Sequence, residues 1–179
     1  WEPGKSVVTK PYSYAKREGF ALDVIDIKLS SPLAEGEYAS GYNVELWLGP
    51  DATTGIGNNI TGAANGSSVA VKNANVSLNV PVGTGLQAKV GIFDTVVGYE
   101  SANSIENPNY SRSIGNSIEP TSHTGVLLGY KFCDGFSANV GVGNSFNAAV
   151  NANNAGASTL TYLASISVTA PDSLGFLKG

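Results

Sequence analysis

Hydrophobicity alternates with period two along most of the chain, and this restricts the fold more than any other feature. Between Tyr38 and Leu48 the even positions Tyr38, Tyr42, Val44, Leu46 and Leu48 are apolar or aromatic, while Ala39, Gly41, Asn43, Glu45 and Trp47 fill the odd ones. The pattern returns at Ala74, Val76, Leu78, Val80 and at Leu86, Ala88, Val90, Ile92. It returns again at Val126, Leu128, Tyr130, Phe132, then at Phe136, Ala138, Val140, Val142, and last at Leu160, Tyr162, Ala164, Ile166, Val168. Side chains two apart share one face of a strand, so each stretch reads as a β-strand with one apolar and one polar or small face. A first strand, about Phe20 to Ser30, changes phase between Val24 and Ile25, which predicts a bulge there.

The connections alternate in length. Leu33 to Glu37, Pro81 to Gly85, Cys133 to Gly135 and Pro171 to Ser173 are short and built of turn-forming residues, whereas Gly49 to Ser67, Thr95 to Ser122 and Ala148 to Ala157 are long. Short turns at one end and long loops at the other describe an antiparallel up-and-down meander. Strands of about 9 to 12 residues suit a tilted crossing of a bilayer. The predicted fold is all-β: an antiparallel up-and-down transmembrane β-barrel, with seven to eight strands of a larger barrel present. Residues 1–179 form one domain, of which 1–19 are loop or irregular and 20–179 the strand meander. Placing the short turns on the periplasmic side puts the start of the first strand on the opposite side, and Leu174 to Gly179 opens an eighth strand. Bacterial barrels have even strand numbers and no edge in lipid, so the pattern predicts a domain incomplete at both ends.

Composition removes several function classes. The net charge of −4 and the single His speak against a nucleic-acid surface, which needs clustered cations. Cys133 is the only cysteine, so neither a disulfide framework nor a four-cysteine metal site can form. No run of about 18 apolar residues forms a transmembrane helix. Charged residues make up 13% of the chain, about half the usual share. A soluble β-sandwich also alternates, but its solvent face normally carries many charges that keep edges from pairing. Here the second face is Asn, Ser, Thr, Gly and Gln with few charges, which suits a watery lumen as well as a quiet soluble surface. Tyr38, Trp47, Phe93, Phe132, Phe136 and Phe146, near strand ends, are candidates for interfacial aromatic girdles.

The stretch Val90 to Tyr130 resembles the signature of the OmpL-like β-barrel porins. Gly91, Phe93, Gly98 and Glu100 form a strand end, Asn107 with Tyr110-Ser111-Arg112-Ser113 follows, and Glu119-Pro120 with His123-Thr124-Gly125 opens the next strand. Ser31-Pro32-Leu33 with Gly41-Tyr42, Leu46 to Ala52, Pro81-Val82-Gly83 and Pro171 to Gly179 match as well, so the resemblance covers about Asp23 to Gly179. It implies a barrel of the bacterial outer membrane that passes small hydrophilic solutes and is made with a signal peptide. It also implies a longer chain than this one, and it brings no catalytic residues and no cofactor. The expected partners are the lipid bilayer and the solutes, not nucleic acid, with homo-oligomerisation open.

On this reading Asn43, Glu45, Asn73, Asn75, Ser77, Asn79, Gln87, Lys89, Ser137 and Asn139 line the pore, and the apolar even positions face lipid. Thr95 to Ser122 is long enough to be a functional loop. Folded into the lumen, Arg112 opposite Glu100, Glu106 or Glu119 would set up a transverse field. Otherwise the loop packs on the rim. His123 has no clustered ligands for a metal and is expected to hydrogen-bond the backbone of the preceding loop. Asp23 and Asp26, three apart on a strand, point to opposite faces and make no paired-carboxylate site. No phosphate loop, nucleophile elbow or zinc-protease helix occurs, so no enzyme is expected. The competing class is a structural or adhesive outer-surface protein, either a plugged barrel or a secreted β-sandwich, presenting its loops to partners.

Overall fold

Seven strands pair antiparallel in chain order in a computed structural model that describes residues 22–34, 36–54, 69–109, 112–146 and 160–171. They are β1 (Ile25–Ser31), β2 (Ser40–Leu48), β3 (Val69–Val80), β4 (Leu86–Asp94), β5 (Ser122–Cys133), β6 (Phe136–Gly143) and β7 (Thr161–Val168), and one sheet holds them all. A five-residue helix, α1 (Pro50–Thr54), follows β2, and two single 3-10 turns, Ser104–Glu106 and Gly115–Ser117, lie between β4 and β5. The all-β up-and-down arrangement is the one the alternation predicts. The sheet is open, with β1 and β7 at its edges, as in part of a barrel wall.

The β1–β2, β3–β4 and β5–β6 turns fall at one end of the sheet and are short, whereas at the other end the chain from β2 to β3, from β4 to β5 and from β6 to β7 is long. In 81–85 the Gly85 N–H donates to Val82 O at 3.0 Å, with Gly83 at φ +60 and Gly85 at φ +107, values that glycine adopts without Cβ strain. At 134–135 the strands reverse through two residues. Phe132 bulges out of the ladder, and its ring lies 4.9 Å from that of Tyr130 and 5.0 Å from that of Phe136. The expected strand beginning at Leu174 falls on residues 172–179, outside the described residues.

The first strand starts later than its sequence pattern suggests. β1 begins at Ile25, on the second phase of the pattern, so the change of phase marks a strand start, not a bulge. Val24 instead packs against Trp47, Ala52 and Ala70. Asp23, expected on the strand with Asp26, lies before it, and its carbonyl accepts the Asp51 N–H at 3.0 Å. A bulge does occur in β3. Glu45 pairs with Asn73 and Leu46 with Val71, which leaves Lys72 as an extra residue. Two consecutive polar side chains, Lys72 and Asn73, thereby reach the same carboxylate on β2.

Register carries single-face rows across the sheet. Tyr42, Val76, Val90, Val126, Val142 and Tyr162 form one apolar row, and Leu78, Ala88, Leu128, Val140 and Ala164 another. These faces are open: Val76 is 60% exposed, Val140 56% and Ile166 71%. The charged and amide side chains that the sheet buries, Glu45, Lys72, Asn73 and Asn75, lie on the other face. A water-soluble domain does the reverse, because apolar side chains gain most from leaving water and charges lose most.

Candidate functional site

The polar face is built from positions that the register lines up, odd-numbered on β2 and on β4 to β7 and even-numbered on β1. Ser30, Asn43, Asn75, Gly91, Gly125, Gly143 and Thr161 form a row through all seven strands. Toward the short turns, Ser77, Lys89, Leu127, Gly141 and Leu163 form the next row. Asn79, Gln87, Gly129, Asn139 and Ser165 follow, then Lys131, Ser137 and Ser167. All ten residues expected to line a pore, Glu45 and Asn73 included, therefore come together on this face. Asn139 Nδ2 donates to Ser165 Oγ at 3.1 Å, and Asn75 Nδ2 to Ile92 O at 2.7 Å.

Toward the long loops the same face carries a charge network that periodicity alone does not reveal. Lys72 Nζ lies 3.0 and 3.1 Å from the two Asp94 oxygens and 3.3 Å from Glu45 Oε1. Glu45 also accepts from Trp47 Nε1 at 3.2 Å and from Asn73 Nδ2 at 3.1 Å, and Lys28 Nζ on β1 stands 3.9 Å away. The Lys72 and Glu45 side chains are 4% exposed, so each needs the other's charge, whereas Asp94 and Lys28 are half exposed. The sequence signal for Lys72 was the switch of apolar phase from Val69 and Val71 to Ala74 and Val76, which the bulge accounts for.

Two apolar clusters sit on the polar face. Trp47, Ala52 and Ala70 form one, with Ala102 of the long loop packed against it. Phe93, Leu127 and Leu163 form the other, joined by Val96. Leu127 and Leu163 flank Gly141 in the register; a Cβ at Gly141 would stand 2.9 Å from Leu127 Cδ1. Trp47 and Phe93, both 1% exposed, thus belong to these clusters and not to a girdle, as position alone had suggested. Phe132 and Phe136 remain exposed at the short-turn end, with Tyr130 beside them. Tyr38 and Phe146 are exposed as well.

The long loop is held by its own polar groups. Glu100 accepts from the Ser113 N–H at 3.0 and 3.1 Å and from the Ser113 hydroxyl at 2.5 Å, which holds its carboxyl below the usual range. Glu106 accepts from Ser101 Oγ at 2.5 Å, and the Glu119 carboxylate lies against Gly98. Arg112 faces none of these as an ion pair among the described residues. Its Nη2 donates to Ala102 O at 3.0 Å and Ser104 Oγ at 3.3 Å. The guanidinium ties one side of the loop to the other, and its charge acts on the Glu100 carboxylate without a direct ion pair. Through Ala102 the same contact reaches the Trp47 cluster.

His123 is fully buried and its Nε2 lies 3.0 Å from Thr95 Oγ1. In the preceding loop its partner is thus the Thr95 side chain and not the backbone that the sequence suggested, while the backbone group that reaches it is that of Ser145, in the following connection. Among the described residues no group of His, Cys, Asp or Glu could hold a metal, and no helix is long and apolar enough to cross a membrane.

No curated protein and no solved structure gives a significant match to this chain. The family described as "Putative beta-barrel porin-2, OmpL-like" matches residues 2–177 of the 179, nearly the whole length. An up-and-down sheet that exposes its apolar face and gathers its polar groups on the other is the wall such a family requires, and the chain belongs to the OmpL-like β-barrel porins.

Proposed function

We propose that the protein forms a water-filled pore in the bacterial outer membrane through which small hydrophilic solutes diffuse passively. The observation that carries this reading is the inverted sheet. Apolar rows on β1 to β7 are open to the surroundings, while Asn, Ser, Thr, Gly and the charge network occupy the opposite face. In lipid, exposed Val, Ile and Leu carry no penalty, and the paired ladder satisfies the backbone of every inner strand. The face with Asn43, Asn75, Ser77, Asn79, Gln87, Lys89, Ser137 and Asn139 is then the wetted wall, with Glu45 and Asn73 near its long-loop end. The loop between β4 and β5 narrows the passage there, since its Ala102 and Val96 pack on that face and Arg112 holds a later part of the same loop to Ala102.

Planar-bilayer recording tests the proposal. Purified protein is expected to need detergent to stay dispersed and to give discrete, ohmic conductance steps in bilayers. Protein that stays monodisperse without detergent would overturn the membrane assignment. Detergent-dependent protein that inserts without conducting would overturn the pore and favour a plugged barrel presenting its loops.

A further inference from the structure

We infer that Lys89 gives the passage a preference for small anions, solutes carrying a carboxylate, sulfate or phosphate group. The inference rests on the pore reading above and adds the charge class of the solute. Each of the other described lysines already has a carboxylate partner. Lys28 lies 3.9 Å from Glu45, Lys72 lies between Glu45 and Asp94, and Lys131 Nζ is 2.7 Å from Asp134. The one described arginine, Arg112, is bound to a loop carbonyl. Lys89 makes no ion pair among the described residues.

Its position gives that charge reach. In the middle of β4, Lys89 stands opposite Ser77 on one side and Leu127 on the other, with Gln87 and Gly91 two residues away along the strand. Neither adjacent row on that face holds a carboxylate. One carries Asn43 and Asn75 with three glycines, and the other Asn79, Gln87 and Asn139. Glu45 and Asp134 are each about two rows removed, roughly 14 Å at about 7 Å per two-residue step. That exceeds the Debye length of about 8 Å at physiological salt, and both carboxylates have nearer cations. A paired charge presents a solute with a dipole whose field falls off quickly, whereas an unpaired one presents its full field, so Lys89 dominates this part of the wall. Neighbouring Asn amides and Ser77 can donate hydrogen bonds to an anion passing the ammonium group.

Reversal potentials across bilayers in a KCl gradient test this. The unaltered protein is expected to prefer chloride over potassium. Lys89→Gln should lower the chloride-to-potassium permeability ratio roughly sevenfold, because one unit charge about 7 Å away in water favours chloride about threefold and disfavours potassium by the same factor. Lys89→Glu should reverse the preference, Lys89→Arg should keep it, and the differences should shrink at high salt. A potassium preference in the unaltered protein, or an unchanged ratio in conducting Lys89→Glu, overturns the inference while leaving the pore intact. If Lys89→Glu does not insert, Lys89→Gln against Lys89→Arg decides by the same ratio. Absence of any conductance in the unaltered protein instead overturns the pore reading, and this inference with it.

Discussion

Lys72 and Glu45 face each other at 3.3 Å across β3 and β2, both nearly inaccessible, and they do so because Lys72 is the extra residue of a bulge. Without that insertion Lys72 would fall on the apolar face, in the phase of Ala74 and Val76. Taking either charge from water is costly, and their attraction offsets this only with further hydrogen bonds. Trp47, Asn73 and Asp94 supply those.

Removing one charge is therefore worse than removing both. Lys72→Ala should destabilise the protein by about 3 kcal/mol, the low end for a broken buried pair because Asp94 is half exposed. A Lys72→Met, Glu45→Gln double variant should recover a good part of that loss. Urea unfolding of micelle-refolded protein, followed by tryptophan fluorescence, measures both. Equal stability of Lys72→Ala and the unaltered protein would show that the network contributes nothing.

Val140 and Asn139 are neighbours on opposite faces of β6. Val140→Arg should cost about 2–4 kcal/mol if the open face meets lipid at mid-depth. Asn139→Arg should be mild, losing mainly the contact with Ser165. Refolding into vesicles under urea distinguishes the two, and similar costs at both positions would contradict the assigned faces.

Gly91 has φ +126, and a Cβ there would run into the Ala74 carbonyl on β3. Gly91→Ala should destabilise by about 1–3 kcal/mol, since neither the backbone angle nor the neighbouring strand can give way easily. Unfolding midpoints with and without the substitution provide the comparison.

Glu100 couples the loop to pH. Its carboxyl is held below its ordinary value of 4.5, first by the Ser113 hydroxyl and then by the Ser113 N–H. A lowered folded-state value means that the anchor contributes above pH 4.5 and is lost as pH falls through the folded value. Protease nicking within 100–113 should rise as acidification carries the pH below 4.5 and through the folded value, and Glu100→Gln should show that rise already at neutral pH. Cleavage independent of both would rule out the anchor.

Arg112→Ala should break the tie between the two sides of the loop and raise single-channel conductance, with noisier open levels. An unchanged conductance in the same recordings would place the loop outside the current path.

Strand existence, the alternation of short and long connections, and the two-faced character were legible in the residues, because period two is a local property of an extended chain. The ten polar residues from Asn43 to Asn139 could be assigned to one face for that reason. The charge network was not legible. A bulge shifts phase by one residue, and only the partner strand, with Leu46 on Val71 and Glu45 on Asn73, shows that Lys72 turns to the polar face. Trp47 and Phe93 were misassigned on similar grounds. Aromatic residues near strand ends suit an interface, and their burial depends on Ala52, Ala102, Leu127 and Leu163, which arrive from other parts of the chain. Arg112 followed the same rule: charge alone suggested a carboxylate partner, while the path of the loop put a carbonyl nearer. By itself the sequence determined which residues share a strand face, since adjacent side chains must alternate. Tertiary structure decided which charges meet and which lysine, Lys89, is left without a carboxylate partner among the described residues, since pairing depends on register between strands far apart in the chain.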